Sequence, residues 1–418
     1  MNATYQNSRL RGHATKVVPQ VLKYNSVKTG IDARRRPHRL TPLQNQYTTG
    51  TNPIIRFELP NFSILDFRKG FLTFTLTLNT TGGTYKRLNQ GIWSIIQRFV
   101  IKTGQEIEDI RNYNLIQSII YEYATDPLTP GIIAYDMMGI GTQGDRNNWS
   151  LGAKEYVLPL NSGFLSSGVL PLCAGGITET VLIELYLEDP INCVETDGAN
   201  PVISISNIYF HCERLELEGS FLSGMLSELR TTGLTISYLS YENYVNIINS
   251  TVSTSNINHR SDSIDCIISI LRNDNIISNP AVDDRMITYN KNNVTQYQLK
   301  LNGEFYPEEP IYCQGQAIAA RIELLKWLGK WSLNGIFTGA NNISISQFNN
   351  NKFLIINDIN AFPGSGLINS QGTSHATATI QLNVTMSAVP VTNLRLDSYV
   401  FYHHVTKITP QGKIQRIY

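Results

Sequence analysis

Residues Ala376 to Met386 alternate without a break. Ala376, Ala378, Ile380, Leu382, Val384 and Met386 point one way, and Thr377, Thr379, Gln381, Asn383 and Thr385 the other. A period of two puts successive side chains on opposite faces of an extended strand, so one face of this segment is buried and the other is wet. The pattern recurs along the chain. Leu72, Phe74, Leu76 and Leu78 alternate with Thr73, Thr75 and Thr77, and Val181, Ile183, Leu185 and Leu187 with Leu182, Glu184 and Tyr186. Tyr297, Leu299 and Leu301 alternate with Gln296, Gln298 and Lys300, and Asn302-Gly303 then supplies a tight hairpin turn. Ile203 to Leu217 is a further long candidate strand. Such strands with turns between them predict an antiparallel sandwich or barrel.

Two stretches read as helix. Ile110 to Tyr123 carries Ile110, Tyr113, Ile116, Ile120 and Tyr123 at steps of three and four, and Gln314 to Leu328 carries Ile318, Ile322 and Leu325 on one face. Each follows a strand and a glycine turn. The turn glycines, Gly104 and Gly303, are 199 residues apart, and the later strands at Leu185 and Leu382 are 197 apart. Near-constant offsets predict two copies of one module of roughly 180 residues, which suits a 418-residue chain.

Charged residues make up 16% of the chain, below the usual ~25%, and Asn, Thr, Ser, Gln and Tyr fill the gap. That balance excludes coiled coils and helix bundles, and the supply of aromatic and β-branched residues argues against disorder. No apolar run reaches the ~18 residues of a membrane span. Met1 to Gln20 lacks the apolar core of a secretory signal. The five cysteines (Cys173, Cys193, Cys212, Cys266, Cys313) form no CxxC pair, and are expected to be reduced, mostly structural thiols in a chain made in a reducing compartment. Eight Asn-x-Ser/Thr triplets, among them those at Asn61, Asn249 and Asn383, follow from the abundance of Asn and Thr.

The near-neutral total of +1 hides a polarised start. Residues 1–40 hold Arg9, Arg11, Lys16, Lys23, Lys28, Arg34, Arg35, Arg36 and Arg39 against one acid, Asp32, for +8, leaving −7 for the rest. The segment has no sustained period and reads as an extended basic arm. Such an arm suits an anionic partner (nucleic acid, a lipid headgroup surface) or acidic patches on neighbouring subunits. No aromatic residue interrupts Arg34–Arg36, so base stacking is not indicated.

Few residues suggest chemistry. Gly139-Ile-Gly-Thr-Gln-Gly144 matches GxGxxG as a string, but Asp145-Arg-Asn-Asn-Trp-Ser150 follows it and reads as turn, where a dinucleotide site needs a helix. His403 and His404, adjacent on a strand, point to opposite faces and cannot chelate together, and the same holds for His211 and Cys212. Asp283-Asp284 and Glu308-Glu309 read as solvated acidic loops. Trp93, Trp149, Trp327 and Trp331 read as core or interface anchors. No catalytic set, cofactor or metal site is expected.

Two β modules, each with a helix in its middle loop, resemble the double jelly-roll major capsid proteins of icosahedral double-stranded DNA viruses. Tyr297-Gln-Leu-Lys-Leu-Asn-Gly-Glu-Phe-Tyr-Pro-Glu-Glu-Pro310 is similar to the second-module segment that leads through a Tyr-Pro into the helix. Val157-Leu-Pro-Leu160, Gly168-Val-Leu-Pro-Leu172 and the strand Leu182 to Glu188 resemble the first-module segment of polinton-like elements in the adenovirus–tectivirus lineage. The resemblance implies an all-β fold of two tandem eight-stranded antiparallel jelly rolls, at 51–222 and 223–418, after an extended arm at 1–50. It implies a pseudo-hexameric homotrimer in a virion shell, with penton or minor capsid proteins as further partners. The arm would touch neighbouring capsomers, genome or an internal membrane, and loops 125–153 and 329–350 would lie at the outer face or between subunits.

Two other readings compete. A β-sandwich glycan- or receptor-binding spike would use exposed Asn and Trp, with Asn341, Asn342, Asn349, Asn350 and Asn351 as candidates. A duplicated jelly-roll metalloenzyme would need a His/His/Glu cluster, for which His211, His259, His375, His403 and His404 are the candidates.

Overall fold

Burial follows the alternation read from the chain. Leu72, Phe74, Leu76 and Leu78 are buried while the threonines between them are half-exposed, and together they form the middle of a 19-residue strand, Ser63–Thr81. A computed structural model describes residues 33–61, 63–89, 91–124, 137–140, 145–147, 152–173, 176–261, 263–328, 343–359 and 379–417. Arg9, Arg11, Lys16, Lys23, Lys28, Trp149, Trp331, His375, and most of the loops expected at 125–153 and 329–350 lie outside these residues.

The first module holds twelve described strands: β1 (Ala33–Leu40), β2 (Gln46–Thr48), β3 (Ile54–Glu58), β4 (Ser63–Thr81), β5 (Lys86–Leu88), β6 (Ile96–Lys102), β7 (Glu106–Arg111), β8 (Lys154–Pro159), β9 (Val169–Leu172), β10 (Leu182–Leu187), β11 (Val194–Thr196) and β12 (Ala199–Leu217). One sheet runs β1–β12–β4–β8, with β2 also on β12 and β9 on β4, and the facing sheet runs β3–β10–β6–β7. β5 and β11 form a small ribbon beside them. Helix α1 (Tyr113–Ile119) follows β7 and continues into a wider turn through Ala124.

The second module repeats this order. Its strands are β13 (Leu234–Ile248), β14 (Val252–Ile257), β15 (Ile264–Asn273), β16 (Val294–Leu301), β17 (Glu304–Tyr312), β18 (Ile355–Asp358), β19 (Ile380–Met386), β20 (Leu394–Ile408) and β21 (Ile414–Ile417). One sheet runs β13–β20–β15–β18, with β21 on β20, and the other runs β14–β19–β16–β17. β1 and β2 together stand where β13 stands, and β12 where β20 stands. β3–β10–β6–β7 matches β14–β19–β16–β17 strand for strand. All pairings between named strands are antiparallel. Each module is therefore a jelly-roll sandwich, and the chain holds two of one topology.

Local rules place the connections. Asn302 and Gly303 have φ of 54° and 90°, the left-handed pair that a two-residue hairpin turn between β16 and β17 requires. The first helix begins three residues later than its spacing predicted, because Ile110 ends buried in β7 and Asn112 takes φ 47° before the first turn. α1 is buried on every side, so no polar face marks its start. The second predicted helix is α3 (Ile318–Trp327), rotated from the expected face: Ile318 is exposed, and Ala320, Leu324, Leu325 and Trp327 are buried.

A third helix, α2 (Gly219–Thr232), carries the chain from one module to the other and was not expected. Its Gly, Ser and Thr content is poor for helix. An apolar stripe, Leu222, Met225, Leu226 and Leu229, holds it against Ile64, Val169, Leu215, Leu217 and Leu234. The expected division after residue 222 falls within α2, and β1 and β2, within the expected arm, are strands of the first sheet.

Trp93 is fully buried, donates from Nε1 to Ser118 Oγ at 2.8 Å and stacks on Tyr121. Trp327 packs edge-on against Phe401. None of the five cysteines forms a disulfide, and burial pushes Cys212 and Cys313 up to about 12.

Candidate assembly surfaces

The two modules meet side to side. β7, an edge strand of the first, packs against β13, an edge strand of the second. Tyr238 OH donates to the Ile107 carbonyl at 3.2 Å, and Asn112 Nδ2 to Asn243 Oδ1 at 2.7 Å. Glu108 lies between them, 2% exposed. It accepts from Ser240 Oγ at 2.9 Å, from the Gly163 N–H at 3.0 Å and from Ser162 Oγ. Burial raises its pKa, against the pull of these donors. Folded chains then hold a proton that unfolded chains release, so this group's contribution is present at low pH and is lost as pH rises through the raised value. Glu108→Gln is neutral throughout. In urea melts from pH 4 to pH 8 the parent is expected to lose stability relative to this variant, at about 1.4 kcal/mol for each pH unit of displacement. Parallel pH profiles would contradict this.

A second contact is ionic. The segment 278–289, between β15 and β16, plugs into the β5–β11 ribbon of the first module. Arg87 Nε donates to Glu195 Oε2 at 2.6 Å, and its Nη2 reaches Asp283. Arg146 Nη2 donates to Asp284 Oδ1 at 2.6 Å, while the Asp284 N–H donates to Glu195 Oε1 at 2.6 Å. Arg285 donates to the carbonyls of Ile191 and Val194 at 2.7 and 2.8 Å. Asp283 and Asp284, expected as a solvated pair, instead clamp the modules together. Their partners lie about 140 to 200 residues away in sequence, so no local pattern announced them. A polar groove of about 690 Å³ follows the seam, lined by Glu106, Asp109 and Arg111 from one module and Glu242, Asn243 and Arg395 from the other.

Among the described residues, the outer edges of the pair carry no further strand. Four of the nine basic candidates, Arg34, Arg35, Arg36 and Arg39, fall on β1 at the free edge of the first module. Arg35 pairs with Glu213 at 2.7 Å and Asp66 at 3.3 Å, Arg36 with Glu216 at 3.0 Å, and Arg39 sits 4.1 Å from the Tyr209 ring centroid. β17 is the free edge at the opposite side, and Glu304, Phe305, Tyr306, Glu308, Glu309 and Tyr312 on it are exposed. Sequence reading placed Glu308-Glu309 in a solvated stretch, which fits, and missed the exposed aromatic residues beside them.

The remaining candidates separate. His403 and His404 lie on β20, and burial lowers them to about 4 and about 3. His404 stacks on Tyr238, and His259 Nδ1 donates to Glu242 Oε2 at 2.8 Å. His211 stacks on Phe71 and meets Thr73 Oγ1 at 2.9 Å. No three His, Cys, Asp or Glu residues among the described ones converge on a metal-sized site. Gly139 is described, but Gly141 and Gly144 of the GxGxxG string are not. Asn349 and Asn350 end a helix, α4 (Ile345–Asn350), whose Ser344 and Gln347 form a capping box. None of the described helices is long and apolar enough to cross a membrane.

No family model matches the chain, and no curated protein does. Solved structures do. The Faustovirus major capsid protein superposes with a TM-score of 0.62 at 9% identity, over 92% of this chain and 92% of that one. The chain is a double jelly roll. A chain of the PBCV-1 virus capsid superposes on this double jelly roll with a TM-score of 0.60 at 10% identity, over 95% of this chain and 99% of that one. A chain in the structure of the Sputnik virophage gives 0.55 at 13% identity, over 96% and 92%. At such identities the shared property of these double jelly rolls is the order of strands, not the residues on them.

Proposed function

We propose that the chain is the major capsid protein of an icosahedral double-stranded DNA virus. It is a structural protein without catalysis, located in the virion shell. Three copies associate into a tile of near-hexagonal outline, since each supplies two modules of one topology. Tiles meet one another and penton or minor capsid proteins. The basic arm, through Arg9, Arg11, Lys16, Lys23 and Lys28, contacts neighbouring tiles, genome or an internal membrane.

The observation that carries this reading is the side-to-side packing of two sandwiches with matching strand order, which leaves one open edge of each kind among the described residues. A protein built to act alone gains nothing from such a pair, whereas a head-to-tail contact between copies uses both edges. Similarity to folds named as capsid components points the same way. Sedimentation equilibrium of the purified chain at micromolar concentration tests it. Three times the chain mass is expected, and a monomer would overturn the reading.

A further inference from the structure

A third contact joins the modules, and the hairpin β20–β21 carries it. β21 pairs with β20 over one short stretch, from Ile408 with Ile414 to Val405 with Ile417. The turn between them, 409–413, seats on the first module. The Thr178 N–H donates to the Gly412 carbonyl at 3.0 Å, and Thr178 Oγ1 to the Gln411 carbonyl at 3.2 Å. The Ile414 N–H donates to Glu179 Oε2 at 3.2 Å, and Gln105 Nε2 to the Ile414 carbonyl at 3.0 Å. Gly412 has φ 79°, and a Cβ there would lie 2.5 Å from the Gly176 carbonyl, so the turn needs glycine both for its shape and for this close approach. The hairpin is a clasp that the second module closes on the first.

A run of rings lies under the clasp. Arg416 of β21 pairs with Thr406, so its side chain shares a sheet face with His404, two residues back along β20. His404 is 4% exposed, and its Nε2 has no hydrogen-bond partner. From β13, Tyr238 stacks on it at 5.2 Å between centroids, and from β20, Tyr402 meets it edge-on at 5.9 Å. His259, just after β14, lies 4.4 Å from the Tyr402 ring, and Arg416 donates to the Tyr402 hydroxyl at 3.5 Å.

The charges around His404 all disfavour a proton on it. Burial opposes the charged ring, and Arg416 and His259 add to the effect. The two nearby carboxyl groups are engaged elsewhere. Glu242 of β13 accepts from His259, and Glu108 of β7 accepts from Ser162, Ser240 and the Gly163 N–H. Lifting β21 away would relieve the charge in two ways, by removing Arg416 and by admitting water to the ring. β21 is also the weakest neighbour to displace. It pairs with β20 alone, at the edge of the sheet, whereas β13 pairs with β20 along its whole length.

We propose that β21 is an acid-released clasp: protonation of His404 expels Arg416, and β21 with its turn leaves β20 and the first module while both sandwiches stay folded. The device lies within one chain and does not depend on how copies associate.

Hydrogen exchange of the full chain at pH 7 and pH 5, corrected for the intrinsic pH dependence of exchange, tests it. The ring takes a proton near 6.5 when the clasp is open and at about 3 when it is closed. The amides of 414–417 are therefore expected to lose roughly twenty-fold in protection at pH 5, while β13 and β19 keep theirs. His404→Phe keeps a ring in place without the titration, and β21 is expected to stay protected at both pH values. Gly412→Ala spoils the seat on the first module and is expected to free β21 already at pH 7. Equal protection of β21 in the parent at both pH values would overturn the proposal, and so would the same loss in His404→Phe. A loss that spreads equally to β13 and β19 would overturn it too, since that is unfolding of the sandwich. A Gly412→Ala chain with β21 fully protected at pH 7 would show that the turn does not hold the clasp, and would also overturn it.

Discussion

Glu195→Ala is expected to cost about 3–5 kcal/mol of stability, the usual loss when one partner of a buried ion pair is removed. Glu195 is fully buried, and Arg87 and Arg146 around it have side chains only 5% and 4% exposed. Without the carboxylate two guanidinium groups stay in the interior with one fewer anion, and the Asp284 N–H loses its acceptor. Arg87 and Arg146 also hold Asp283 and Asp284 of the other module, so the damage should spread to the seam. Glu195→Gln keeps an acceptor and should lose less. Urea unfolding read by tryptophan fluorescence separates the cases. Trp93 lies in the first module, and Trp327 lies in the second. A Glu195→Ala loss under about 1 kcal/mol would mean that the cluster is solvated and does not clamp the modules.

Acid should destabilise the chain through its buried histidines. Burial lowers His404 to about 3, with Arg416 and His259 adding to the effect, and its Nε2 has no hydrogen-bond partner. In the unfolded chain the same ring takes a proton near pH 6.5. Between these values the unfolded state binds one more proton than the folded state, so stability is full above about pH 6.5 and falls as pH drops. At pH 4 the loss from this residue is about 3 kcal/mol. His403, lowered to about 4 by burial, adds to it. His404→Phe keeps a ring against Tyr238, whose centroid lies 5.2 Å away, and removes the titration. The variant is expected to hold its stability between pH 6.5 and pH 4 better than the parent by about that amount in denaturant melts. Equal slopes for parent and variant would contradict the buried, neutral state of this ring.

Strand content and duplication were legible because period two and turn chemistry are local. Leu72 to Leu78, Leu182 to Leu187 and Ile380 to Met386 bury the faces that their alternation marked. Asn302-Gly303 turns as its residue types require. The repeat was readable from the spacing of its glycines and strands, with almost no shared residues. Helix α2 escaped because its Gly and Ser content masks a stripe at 222, 225, 226 and 229 that the helical period would have revealed. β1 showed no alternation because its first seven residues have no buried face in the single chain. Its arginines, read as part of an extended arm, lie on the edge strand of the first sheet. The ion clamp around Glu195 joins residues from both modules, and only the fold brings them together.

The same physics links stability to assembly. Removing the Glu195 clamp loosens how the second module is held against the first, and any contact between copies depends on that relation. A loosened seam should therefore weaken association even though Glu195 is itself fully buried.

Electron micrographs of the purified full-length chain test the central claim most directly. Class averages are expected to show closed particles of three-fold symmetry and near-hexagonal outline, with six similar lobes, one for each module. Isolated two-lobed particles, or open strings of them, would contradict the account.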